Sequence, residues 1–237
     1  MKKFIFFILF ISAFVSSASA SVTMLKTRVV YLSDTKSETL KLKNNDNTPY
    51  IMQIWTDIDN PNSTPADADG PFIVQPTVFR IEPNTGRDAN LIYTGGSLPQ
   101  DKESLFYLNL VQIPPRDAAS SENELSFLIR HRIKIFYRPA SLSSGADDIG
   151  KHISFSGITS SGIEVKNNSP YFLSLNSVKV FGQAGEKIEL IPTMIPPFAS
   201  KKLPLKDEKT INSKQDKVIF SFTNDLGGNV EYTYKYN

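Results

Sequence analysis

Residues 125–139 read LSFLIRHRIKIFYRP, and two kinds of side chain alternate along them. Leu125, Phe127, Ile129, His131, Ile133, Ile135 and Tyr137 make one row, while Ser126, Arg130, Arg132, Lys134 and Arg138 fall in the other. Successive side chains of a strand point to opposite faces, so the pattern predicts a long β-strand with one apolar and one basic face. At roughly 3.4 Å per residue the run extends about 45–50 Å, well beyond the five or six residues of an ordinary strand. Such a strand overhangs its own core. The apolar row at its start is then either a liability or a binding surface.

The first 20 residues carry the marks of export. Lys2 and Lys3 precede an apolar run over 4–15, and Ala18-Ser19-Ala20 supplies the small-x-small pattern of signal cleavage. The run is shorter than the roughly 20 residues that span hydrocarbon, which favours a signal peptide over an anchor and places the mature N-terminus at Ser21. Without those two lysines the charges balance, 26 minus 2 Lys and Arg against 24 Asp and Glu. Bulk attraction to nucleic acid or anionic lipid is therefore not expected. The chain has no cysteine, so an exported fold of this size must be held by packing alone. Two histidines, His131 and His152, leave few easy metal sites, and Asp67 and Asp69 read as a solvated loop.

From Ser21 onward, short strands are separated by turn chemistry at the spacing of an all-β sandwich. Strands are expected over 27–32, 37–43, 50–57, 72–75, 77–82, 89–93 and 104–112 before the long one. Trp55 is expected to pack in the core from the same strand as Ile51. Residues 141–148 are small, flexible and acidic, which marks a boundary. A second series follows over 153–158, 162–166, 174–181, 187–191, 201–205, 217–223 and 231–236. No stretch after Ser21 keeps a helical period. The reading is all-β, with two sandwiches in tandem: a signal peptide over 1–20, a first domain over 21–142 and a second over 143–237.

The residues that would carry chemistry are missing. There is no Gly-rich phosphate loop, no G-x-S-x-G elbow, no H-E-x-x-H and no cysteine nucleophile. Glu122 and Glu124 lie in a polar connection, Asp147 and Asp148 in the boundary segment. No cofactor or metal is expected, and the chain does not read as an enzyme.

Several motifs, in order, point to one family. Residues 98–104, LPQDKES, with Phe106, Asn109 and Ile113-Pro114-Pro115, resemble the F1-strand signature of PapD-like periplasmic chaperones of the fimbrial chaperone–usher pathway. Residues 133–139, IKIFYRP, resemble that family's G1 ending, residues 27–31 its A1 strand, and Arg80-Ile81-Glu82-Pro83 and residues 224–228, NDLGG, fit as well. The resemblance implies two immunoglobulin-like domains angled around a cleft that receives the C-terminus of an unfolded pilus subunit. It implies a soluble periplasmic protein that caps subunits with its G1 strand and passes them to an outer-membrane usher. Nucleic acid and small-molecule substrates are not implied; self-association of the client-free chain through the same edge is.

The resemblance also assigns roles. Arg28 and Lys134 match the two cations that hold the subunit's terminal carboxylate, against the bland reading of two solvent-facing strand cations. Leu125, Phe127 and Ile129 become the donated row, against the alternative that they are ordinary core. Strict alternation sets Lys134 on the face opposite Ile129, so a bulge or sharp twist is expected near His131 and Arg132. Glu103, Arg138 and Asp225 match the charged trio that joins the domains. The short connection over 116–124 and the missing cysteines place the chain in the short-loop branch. Two other classes stay open: a pilus subunit or adhesin, and a hydrolase built on a β-sandwich.

Overall fold

The computed structural model describes residues 21–115, 128–143, 146–159, 162–207, 211 and 213–236. Nine strands build the first sandwich: β1 (Val22–Met24), β2 (Arg28–Leu32), β3 (Glu38–Asn44), β4 (Tyr50–Asp57), β5 (Phe72–Gln75), β6 (Val78–Ile81), β7 (Gly86–Tyr93), β8 (Ser104–Ile113) and β9 (Ile129–Arg138). One sheet runs β1-β3-β7-β5 and the other β2-β9-β8-β4-β6. Alternate residues of both sheets, among them Leu40, Leu42, Met52, Ile54, Leu91, Leu108, Leu110 and Ile135, meet in one buried cluster. Each such side chain contributes about 1.5–3 kcal/mol on burial, which is how a chain without disulfides holds together.

The first edge of this sandwich changes sheet partway. β1 pairs antiparallel with β3, whereas β2 pairs parallel with β9, Arg28 opposite Lys134 through Leu32 opposite Arg138. The second sandwich has β10 (Ile153–Phe155), β11 (Ile163–Asn167), β12 (Leu173–Gly182), β13 (Lys187–Leu190), β14 (Met194–Ile195), β15 (Ser200–Leu203), β16 (Gln215–Thr223) and β17 (Asn229–Lys235). Its sheets run β10-β11-β15 and β13-β12-β16-β17, with β14 beside β12, around a separate cluster that includes Ile163, Leu173, Val180, Leu203 and Phe220.

One device closes a strand end in each sandwich. The Asn44 amide, fully buried at the end of β3, donates to Thr48 O and Glu82 O while its Oδ1 accepts from the Asp46 N–H. Asn167, at the end of β11, donates to Tyr171 O and Pro196 O and accepts from Ser169. Asparagine suits both places because its short amide satisfies several backbone groups that leave the ladder together.

Several expectations need correction. Trp55 is buried but not in the core: Met52 and Ile54 face the other sheet, so by alternation Trp55 lies on the outer face, beneath the loop that follows β4. The boundary segment is not empty of packing. Residues Ala140–Leu142 and Ala146–His152 form short 3-10 turns, Ile149 is buried and Leu142 packs on the second core. No bulge interrupts β9, whose register against β8 is continuous from Gln112 opposite Ile129 to Ser104 opposite Tyr137. Leu125 and Phe127, and the short connection on which the branch assignment rests, lie outside the described residues. β1 and β14 had no counterpart in the sequence reading, being only 3 and 2 residues long.

Candidate functional site

Among the described residues the outer edge of β9 is covered along only half its length. From Lys134 to Arg138 it is paired with β2, but residues 129–133 have β8 on one side and no described neighbour on the other. An uncovered row of backbone N–H and C=O groups is a template for another strand. The cause is the change of sheet at residues 25–27: had β2 started earlier, it would have filled this edge. Where the sheets part, a cavity of 270 Å³ opens, lined by Val22, Met24, Leu42, Leu110, His131 and Ile133 among others. Ile129 is 46% exposed and Leu128 63% exposed beside it.

The uncovered edge ends at two cations. Arg28 opens β2 and sits across the parallel ladder from Lys134. The Arg28 guanidinium lies against the Phe136 ring, 5.6 Å from its centroid, and donates to Thr223 O at 2.9 Å, yet its buried Nε has no partner. Burial lowers the Arg28 pKa against the pull of Asp225 and Glu103; burial, then the charge of Arg28, lowers that of Lys134. Neither cation is ion-paired among the described residues. Two half-buried like charges paired across a ladder make a place where an anion relieves both desolvation and repulsion.

Behind the cations the two sandwiches are joined. Arg138 Nε donates to Glu103 Oε1 at 2.8 Å, and its two terminal nitrogens donate to Asp225 Oδ2 and Oδ1 at 2.6 and 2.8 Å. The second Glu103 oxygen accepts from the Phe172 N–H at 2.7 Å, and the Glu103 N–H donates to Pro170 O at 2.9 Å. Burial works against the Arg138 charge, but Asp225 and Glu103 outweigh that and raise its pKa. Burial raises the Glu103 carboxyl too, against Arg138 and Phe172, so the partners pull in opposite senses. Both Glu103 oxygens accept hydrogen bonds and neither donates, so the ionised form is the one that fits. The structure thus brings together the three charges that the sequence singled out, and sets Arg28 and Lys134 side by side.

One cluster escaped the sequence reading. Asp57, fully buried at the end of β4, accepts from Arg132 at 2.5 Å, Asn109 Nδ2 at 2.6 Å, Ser63 Oγ at 3.0 Å and the Asn60 N–H at 2.9 Å. Burial alone would raise its pKa; these hydrogen bonds outweigh it and lower the pKa below the usual carboxylate range. The only signal available was an acidic residue two positions after a tryptophan at a strand end, which is also how an ordinary strand end looks.

A half-covered edge strand that ends at a pair of cations offers another chain a place to add as a strand. The chain belongs to the family of PapD pili assembly chaperones. Residues 21–143 match the "Pili and flagellar-assembly chaperone, PapD N-terminal domain" model and residues 149–234 the "Pili assembly chaperone PapD, C-terminal domain" model. Chaperone protein HifB of Haemophilus influenzae is 36% identical over 220 residues, 91% of this chain and 88% of that one. The crystal structure of the Pseudomonas aeruginosa CupB2 chaperone has a TM-score of 0.76 at 29% identity, covering 91% of this chain and 100% of its own. Salmonella enterica SafB, solved in complex with the SafA pilin, matches with a TM-score of 0.76 at 25% identity, over 93% of this chain and 99% of the matched one.

Proposed function

We propose that this protein captures pilus subunits in the periplasm by lending them β9, holds them at Arg28 and Lys134, and passes them to an outer-membrane usher. The observation that carries the reading is the meeting of the uncovered half of β9 with the two cations. β2 runs parallel to β9 from residue 134, so an incoming strand over 129–133 with its terminal carboxylate at the cations runs the same way, in line with β2. The geometry also removes the need for a change of facing within β9. A partner paired along an edge reaches both faces of the strand, so Ile129 on one face and Lys134 on the other serve a single client. Leu125 and Phe127 extend the same apolar row. The SafB–SafA complex is the precedent for a pilin on this fold.

Export by the segment over 1–20 and domains over 21–142 and 143–237 belong to the same reading. It is tested by purifying the protein from the periplasm of its native host and identifying the bound chains by mass spectrometry. Recovery of pilus subunits, lost in Lys134→Ala, is the expected result. A monomer that starts at Met1, stays with membranes and carries no subunit would overturn it.

A further inference from the structure

Among the described residues the uncovered half of β9 has no strand on its outer edge, and a strand with one neighbour frays unless something else holds it. Of its odd-numbered side chains Ile133 packs against the core, whereas Ile129 and His131 are exposed and hold little. Its even-numbered ones are tied to the sheet. Arg130 donates from Nε and one terminal nitrogen to Asn109 Oδ1 at 3.0 and 2.6 Å, and its guanidinium lies 5.2 Å from the centre of the Trp55 ring. Arg132 donates to Asp57 and lies 3.4 Å from the centre of the Tyr107 ring. Asn109 and Tyr107 belong to β8, Asp57 and Trp55 to β4, so the ties reach two strands inward.

The loop after β4 seals this cluster. Ser63, buried, donates to Asp57 and accepts from Trp55 Nε1 at 3.0 Å. At the loop's exit Gly70 packs so closely on β4 that a Cβ there would stand 2.7 Å from the Thr56 carbonyl carbon. All of this lies on the face opposite Ile129 and leaves the outer edge clear.

We infer that Asp57, through Arg132 and with Asn109 and Arg130, is a positioning residue that keeps residues 129–133 extended before any client arrives. Order imposed in advance spares the encounter the entropy of straightening the strand. Charged groups suit the task because their hydrogen bonds are stronger and more directional than apolar contact, and because they occupy only one face of the strand. The clamp therefore stiffens the strand without covering what a client must reach.

The consequence for capture rests on the proposed function; the clamp itself is tested without a client. Hydrogen exchange would be followed in the purified protein, in Asp57→Asn, in Arg132→Gln and in the double variant. In each single variant the β8-bonded amides of residues 129–133 should lose protection about tenfold or more, the factor that one charge-assisted hydrogen bond commonly carries. Residues 134–138, covered by β2, and strand β16 should be unchanged. The double variant, which replaces a charge pair by two amides able to bond each other, should recover part of the loss. Should Asp57→Asn fail to fold, Arg132→Gln decides alone, its side chain being partly exposed. Equal loss across the whole first sandwich, or no loss over 129–133, would overturn the inference. Either result leaves the subunit-capture experiment to stand or fall by itself.

Discussion

In the proposed function Arg28 and Lys134 hold the client's carboxylate between them, and neither is ion-paired among the described residues. Neither supports the core, so Arg28→Ala and Lys134→Ala should melt near the parent temperature while subunit binding weakens by about 2–5 kcal/mol, the range for removing one side of a buried charged hydrogen bond. A pull-down titration beside a thermal melt measures both, and a large drop in melting temperature with intact binding would reverse the assignment. Asp57 sets a pH dependence of the opposite kind. Its folded-state pKa lies below its unfolded one, held there despite burial by Arg132, Asn109, the Asn60 N–H and Ser63. The stability it contributes is therefore complete above the unfolded value of about 4 and is lost as pH falls through the lower folded value. Asp57→Asn should flatten that acid limb of a stability–pH curve. A limb unchanged by the substitution would show that other carboxyls set it.

Along β9 the even side chains are clamped and the last residues are shared with β2, which leaves only the outer edge of residues 129–133 for another chain. Ile129 stands at the start of this edge. Most of this element was readable in the sequence, because the period of two fixes which side chains share a face. What was not readable is that β2 stops short. Edge coverage depends on where a neighbouring strand leaves the sheet, and residues 25–27, Leu-Lys-Thr, carry no turn signal strong enough to announce it. The expected bulge near His131 came from treating the client as lying on a face rather than at an edge. Trp55 was misplaced for a related reason. Its size suggested the core, whereas its position in β4, one residue from Ile54, assigns it to the other face.

Between the two sandwiches Arg138 is buried with Glu103, and Asp225 reaches it from the β16–β17 turn. The motifs around these three residues made them readable before any contact was visible, whereas Phe172, which supplies the fourth hydrogen bond, has no motif to mark it. Removing Arg138 would strand Glu103 as a buried carboxylate without a cation, at a cost of about 3–5 kcal/mol. Arg138→Ala should accordingly lower the melting temperature by several degrees and widen the distribution of interdomain angles seen by solution scattering. An unchanged melt and an unchanged scattering curve would mean that the remaining contacts, among them Glu103 to Pro170, Arg28 to Thr223 and the Phe136–Phe172 pair, hold the sandwiches without it.

At the scale of the whole molecule, two joined sandwiches carry a half-covered β9 edge that ends, among the described residues, at two cations, and the proposed function has that edge lent to another chain. Ile129→Glu examines this directly. The side chain is 46% exposed in the client-free protein, so the variant should melt near the parent temperature. In a complex the carboxylate would be buried without a partner, costing several kcal/mol beyond the lost apolar contact, and subunits should no longer co-purify. Melting of the purified variant together with recovery of subunits from the periplasm gives the answer: a near-native melt with lost capture is the predicted result, and a near-native melt with full capture would contradict it.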